Sequence, residues 1–291
     1  MPEPSRAITV GVSRSLRGWD ALEWAASEAS ARSCPLRIVH VVSWLPLSLY
    51  ALGPLTTDAI AVGLAAGAVL LEDAQSRATR VAPGLSITTI LEIGDPASAI
   101  LSIGGEDTLI VLGRRHRRHR LPWVRSTVER VARRADGSVA VIGLRAAADG
   151  TAAARVVALV DGRAADSPVL DVAFGAASRR GLGVIVARAS DAAGHPVRQK
   201  KVDRTLAECR GRFRGLRIAD EILPHPLTPA LLAQGRGAAL LAVGHNLRSA
   251  ALAALLTPPA GCDLGPVVIV GTTRVRKPVG SSARVDPARG D

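Results

Sequence analysis

Two short runs decide the fold: AITVGVS at Ala7–Ser13 and RVVALVDG at Arg155–Gly162. Each is a β-branched, apolar run that stops at a turn and leads into an Ala-rich stretch. After the first, Leu22, Ala25, Ala26 and Ala29 fall at the spacing of one helix face. After the second, the matching stretch runs from about Ala164 to Arg180. Repetition at this distance is the mark of a duplicated unit.

Working outward, the same order recurs in both halves. LRIVHVVSW (Leu36–Trp44) answers to LGVIVARA (Leu182–Ala189). ITTILEIGDPASAIL (Ile87–Leu101) answers to RIADEILPHPLTPALL (Arg217–Leu232), a strand passing through proline into a short helix. TLIVLG (Thr108–Gly113) pairs with ALLAVG (Ala239–Gly244), and SVAVIG (Ser138–Gly143) with PVVIVG (Pro266–Gly271). Each half therefore reads as five strands alternating with four helices. Apolar residues run continuously along the strands rather than alternating, so both sheet faces must be covered and the sheet is parallel. Right-handed crossovers then place helices on both faces. The expected class is α/β, with two tandem flavodoxin-like (Rossmann-like) open sheets over residues 1–146 and 155–272. Residues 273–291, rich in Pro, Gly, Ser and Arg, read as a flexible basic tail, and Ala146–Ala154 as a linker.

Composition narrows the function. A chain of 291 residues with 48% hydrophobic residues and mean hydropathy +0.23 can bury two ordinary cores. Aromatics are only 2%, so Ala, Val, Leu and Ile must fill those cores. Ala59–Leu71 is the longest apolar stretch and is too short to span a bilayer. No apolar leader precedes the first strand, so the expected location is the cytoplasm. Cys34, Cys209 and Cys262 match no metal-ligand spacing and read as reduced, idle thiols. The histidines His195, His225 and His245 share no metal spacing either, and no metal site is expected. Trp24 and His40 read as core, and Glu72 and Asp73 as solvated helix residues. No nucleophile, base and orienting group come together, so no catalytic residues are expected. The net charge is +12, almost all from Arg, with Lys200, Lys201 and Lys277 the only lysines. Bias of this kind is weak evidence for nucleic acid.

In an open parallel sheet, ligands bind beyond the carboxyl ends of the strands where strand order reverses. That singles out the loops after the first and fourth strands of each half. VGVSRS from Val10, HVVSW after it, IVLG ending at Gly113 and STVERVARRADGSVAVIG from Ser126 resemble the universal stress protein (UspA-like) family, here in tandem form. The family pattern is a first strand ending V-G-V-D-G-S, then a fourth strand ending G-x-x-G, nine residues, and G-S or G-T. The resemblance implies strand order 3-2-1-4-5, pairing through the last strands, a stress-response role and ATP as the candidate ligand. Its nucleotide positions fall on Gly11, Val12, Ser13, Val41 and Gly113 in the first half. Asp161, Gly162, Gly244 and His245 are their counterparts in the second.

Departures from the pattern are many. Ser13 stands where the family has the Asp that contacts adenine, and His116 replaces the second glycine of the loop. The third glycine is replaced as well, by Arg125 before Ser126 or by Ser126 before Thr127, depending on register. In the second half, Asp161-Gly162 keeps the first-strand signature, but Leu247 and Pro258 break the loop. Side chains at such glycines block close backbone approach. The expectation is a non-catalytic stress-response factor with impaired nucleotide binding in both repeats, at most a weak ATP hydrolase. An alternative rests on RRHRRHR, Arg114–Arg120, in the loop that faces ligand in the family. There Arg114, Arg115, Arg117 and Arg118, with His116, would grip an anion through charged donors, giving an ATP-binding member with a divergent loop. A third reading is a basic adaptor for an acidic protein. Nucleic acid is disfavoured because no aromatics interleave for base stacking. A pseudo-dimer of the two halves is expected, and a homodimer of the chain is compatible with it.

Overall fold

Strand-forming runs separated by Ala-rich helices give the alternation observed in the computed structural model, which describes residues 7–43, 57–105, 108–114, 126–143, 155–162, 166–190, 199–247 and 249–271. The first repeat comprises β1 (Ile8–Gly11), α1 (Leu16–Ala31), β2 (Leu36–Val42), α2 (Thr57–Val81), β3 (Ile87–Ile93), α3 (Pro96–Gly104), β4 (Leu109–Gly113), α4 (Thr127–Arg134) and β5 (Ser138–Ile142). The second follows with β6 (Arg155–Val160), α5 (Asp166–Arg180), β7 (Gly183–Ala189), α6 (Gln199–Arg212), β8 (Ile218–Leu223), α7 (Leu227–Gly235), β9 (Leu240–Gly244), α8 (Ser249–Leu256) and β10 (Val267–Val270). The linker before Arg155 and the tail beyond Gly271 lie outside the described residues.

The strands form one ten-stranded sheet in the order β3-β2-β1-β4-β5-β10-β9-β6-β7-β8. Each half is parallel and has the 3-2-1-4-5 order. The two sheets expected from the sequence are thus halves of one sheet, fused where β5 and β10 run antiparallel. At the fusion Val141 faces Val267, Ala140 faces Val268 and Val139 faces Ile269, all buried. An unpaired apolar edge of this composition would recruit another strand. Here each repeat supplies the other's missing neighbour.

Alternate strand residues feed two layers. Val10, Val111, Ala158 and Val186 point into the core beneath α1, α2, α5 and α6. Ile110, Leu112, Leu159 and Leu241 point into the core beneath α3, α4, α7 and α8. Leu22, Ala25, Ala26 and Ala29 are all fully buried on α1, as their spacing requires. Small side chains let the helices lie close to the sheet without aromatic filling; Phe174 is the one aromatic among the largest fully buried side chains. Trp24 is half-buried at the core margin rather than inside it. Glu72 and Asp73 are exposed as expected. Cys209 and Cys262 are buried, Cys34 is half-buried, and all three are free thiols. No helix among the described residues is long and apolar enough to cross a membrane.

The two repeats are also tied together away from the sheet. Glu28 of α1 is fully buried at its side chain and accepts from Arg32 (2.6 Å), Arg179 (2.9 Å) and Arg180 (2.5 Å), the last two on α5. One carboxylate of the first repeat thus gathers two arginines of the second. Burial alone would raise the Glu28 carboxyl, but Arg32, Arg180 and Arg179 outweigh it and hold the group below its usual range.

Candidate functional site

The loops singled out by the sequence lie at the carboxyl ends of β1 and β4, and of β6 and β9. In the first repeat, Val12 is buried while Ser13 is exposed. Ser13 and Ser15 share a hydrogen bond between hydroxyls at 3.0 Å, and Ser15 caps α1 by accepting from the Gly18 amide at 3.2 Å. Gly11 packs its bare Cα against Leu112 and Ile100, and Val41 is half-buried near the end of β2. His40 bonds through Nδ1 to the Val12 carbonyl at 3.0 Å, which ties β2 to the same loop.

Gly113 closes β4 against the start of α1. A Cβ there would lie 2.4 Å from the Arg17 carbonyl oxygen and 3.1 Å from the Gly18 nitrogen. The glycine is therefore required by packing of strand end on helix start. Ser126 is the N-cap of α4, accepting from the Glu129 amide at 3.2 Å, and Thr127 opens the helix. Arg130 of the same helix grips Asp95, the cap of α3, through two bonds of 2.5 and 2.6 Å. That ion pair holds the Asp95 carboxyl well below the usual carboxylate range.

Arg114 departs from the expectation. It does not stand in a solvent-facing loop but is buried, 5% exposed, with its side chain directed into the seam between repeats. Its backbone amide donates to Ile142 at 2.7 Å, and Arg17 donates to its carbonyl at 3.2 Å. Arg115, His116, Arg117, Arg118 and Arg125 lie outside the described residues.

The second repeat is built on the same plan but filled differently. Asp161 directly follows β6, and Gly162 after it has φ +76°. Five residues beyond Ser13 comes Gly18, whose missing Cβ would meet the Ser13 carbonyl at 2.6 Å. Five residues beyond Asp161 comes Asp166, 3% exposed, which accepts from the Asp161 amide at 3.1 Å. Burial raises the Asp166 carboxyl, with Asp161 pushing the same way and the Asp161 and Gly162 amides pulling against them. A carboxylate therefore sits under the loop where an anionic ligand would need donors. Gly244 is buried, His245 is exposed and donates its amide to Val270 at 3.1 Å, and Leu247 turns back onto the Gly244 carbonyl at 3.1 Å. Arg188, at the register position of Val160, clamps Asp220 with Nε (2.7 Å) and Nη2 (2.6 Å) and also reaches Asp203.

Sequence reasoning missed Arg17, Asp166 and Arg188. The five-residue offset shared by Gly18 and Asp166 was the available signal for the second of these. Among the described residues no cluster of His, Cys, Asp and Glu is arranged to hold a metal ion.

Comparison with known proteins places this geometry. Residues 4–143 match the universal stress protein family. Universal stress proteins of Mycobacterium tuberculosis and Mycobacterium bovis are 31% identical over 198 residues. That match spans 65% of this chain and 65% of the length of those relatives. Among solved structures, a universal stress protein from Archaeoglobus fulgidus superposes with TM-score 0.72 at 16% identity, covering 92% of this chain and 96% of its own. A protein of Pseudomonas aeruginosa does so with TM-score 0.57 at 16% identity, covering 92% and 93%. Strand order, the matched first repeat and these relatives agree: the first repeat is similar to the universal stress protein family, and the fold of the whole chain is the one seen in solved members of that family.

Proposed function

We propose that the chain is a non-catalytic stress-response factor that acts by binding, with nucleotide affinity impaired in both repeats. The observation that carries this reading is that both first-strand loops are occupied by the chain's own groups. Ser13 and Ser15 spend their hydroxyls on each other and on the α1 cap. Asp166 puts a buried carboxyl beneath the second loop, beside Asp161. Ser126, which in one of the two registers stands where a hydroxyl donor to phosphate is expected, caps α4 instead. The residues present therefore fit ATP poorly, and no chemical step is assigned to it. Turnover in this reading does not exceed weak ATP hydrolysis, and the location it implies is the cytoplasm. Calorimetric titration with ATP at physiological salt tests it. The expected result is no saturable binding in the micromolar range; a micromolar or tighter affinity overturns the proposal.

A further inference from the structure

Arg114 poses a problem that the family fold does not explain. Its Nη1 donates to the Leu264 carbonyl at 3.3 Å, across the seam in the second repeat. Gly143 leaves the room for this, since a Cβ there would lie 2.8 Å from Nη1. The other two guanidinium nitrogens, Nε and Nη2, are buried and have no hydrogen-bond partner among the described residues. Among the described residues no carboxylate pairs with the group; the charges acting on it are the Arg17 guanidinium and the Cys262 sulfur.

A buried Lys or Asp escapes such a position by giving up its charge. Arginine does not. Burial, with Arg17 adding to it, pushes the Arg114 guanidinium down only to about 10, so it remains a cation at neutral pH. An uncompensated buried charge is strongly unfavourable, and two unmade charged hydrogen bonds add to the cost.

The identity of the free atoms narrows what relieves this cost. Nε and Nη2 lie along one edge of the guanidinium and together form its side-on fork, which matches two oxygens of one oxyanion. Arg188 of this same chain uses the same two atoms to hold both oxygens of Asp220. On Arg114 the fork has no hydrogen-bond acceptor among the described residues, while Nη1 is pinned. A second positive charge stands close by on Arg17, which favours an anion carrying more than one negative charge.

We propose that the Arg114 fork is the floor of a phosphoryl-binding site between the two repeats, with Nε and Nη2 donating to two oxygens of one phosphate group. The site lies at the β5–β10 seam rather than in the first-strand loops, so it stands or falls separately from the reading of ATP binding. Its occupant bridges the repeats through Arg114 and Leu264 and stabilises their union.

Thermal unfolding of the full chain in inorganic phosphate, acetate and chloride at matched ionic strength tests this. The expected result is a saturable rise in Tm with phosphate, about 5 °C at a concentration about a hundredfold above Kd, less with acetate and none with chloride. Arg114→Lys keeps the charge but lacks the fork, and Arg114→Met lacks both; each is expected to lose the phosphate effect. A wild-type Tm that responds equally to all three salts overturns the proposal without any variant. So does a phosphate effect that survives in Arg114→Lys.

Discussion

At the scale of single residues, Gly113 and Asp166 show how one position settles a loop. Gly113→Ala places a Cβ 2.4 Å from the Arg17 carbonyl oxygen and 2.7 Å from its carbon, both backbone atoms that cannot swing aside. The cost is about 2 kcal/mol, the usual scale of forced overpacking, and urea midpoints measure it. An unchanged midpoint would mean that the glycine serves a ligand rather than the α1 contact. Asp166 makes a pH-dependent prediction. Its carboxyl is raised in the folded state, so folding holds the proton more tightly than the unfolded chain does. The stability this brings is full below the unfolded value of about 4 and is lost as pH rises through the higher folded value. Asp166→Asn keeps an oxygen to accept from the Asp161 amide and does not ionise. The variant should match wild type in acid and become the more stable of the two toward neutrality. A stability difference flat with pH sinks this account.

Elements were more legible in the sequence than the contacts between them. Apolar runs gave the inner strands, the repeated order gave the mixed outer strands β3 and β8, and helical spacing put Leu22, Ala25, Ala26 and Ala29 on the buried face of α1. Pro96 marked the start of α3, and the structure adds Asp95 as its cap. Arg114 was not legible as a buried group, because a basic run in sequence carries no sign of which member turns inward. The same holds for Glu28, an acidic residue on an Ala-rich helix, two of whose three partners, Arg179 and Arg180, lie roughly half the chain away. Three guanidinium groups surround that one carboxylate where α1 meets α5. Glu28→Gln removes the only negative charge of the cluster and leaves the cations facing one another. Buried pairs broken on one side cost about 3–5 kcal/mol; the arginines here are more than a quarter exposed at their side chains, so about 3 is expected. Because the folded Glu28 carboxyl is depressed, its contribution is present above the unfolded value of about 4.3 and is lost as pH falls through the folded one. Denaturation at neutral and acid pH should therefore show the penalty of the variant shrinking in acid. A penalty that stays constant with pH would assign it to packing alone.

For the whole molecule, the seam decides the behaviour. The β5–β10 pair joins two parallel half-sheets by an antiparallel ladder, and a two-fold relation between like repeats follows from that geometry. Glycines mark both ends of the ladder. A Cβ at Gly271 would meet the Asp136 carbonyl at 2.4 Å, and one at Gly143 would meet the Leu264 carbonyl at 3.0 Å, so each repeat's last residue lies against the other's approach to its final strand. Val139 and Val141, at most 1% exposed in the full chain, owe part of that burial to β10. Fully burying a valine side chain contributes on the order of 1.5–3 kcal/mol, so an uncovered β5 is a strong drive to associate. A fragment of residues 1–146 offers one ready solution. A second copy brings its own β5 to the place of β10, with Val139 opposite Val141 and Ala140 at the centre, because the register of Val141 on Val267 and Val139 on Ile269 is already that of a two-fold pair. The fragment should sediment as a dimer, and a charge at Ala140 should break the dimer to monomers or aggregates. The same substitution in the full chain meets Val268 within one molecule, where covalent linkage keeps the partner at high local concentration, and should lower stability without changing the mass. A fragment that stays monomeric and soluble at high concentration would show that the final strand does not need its partner.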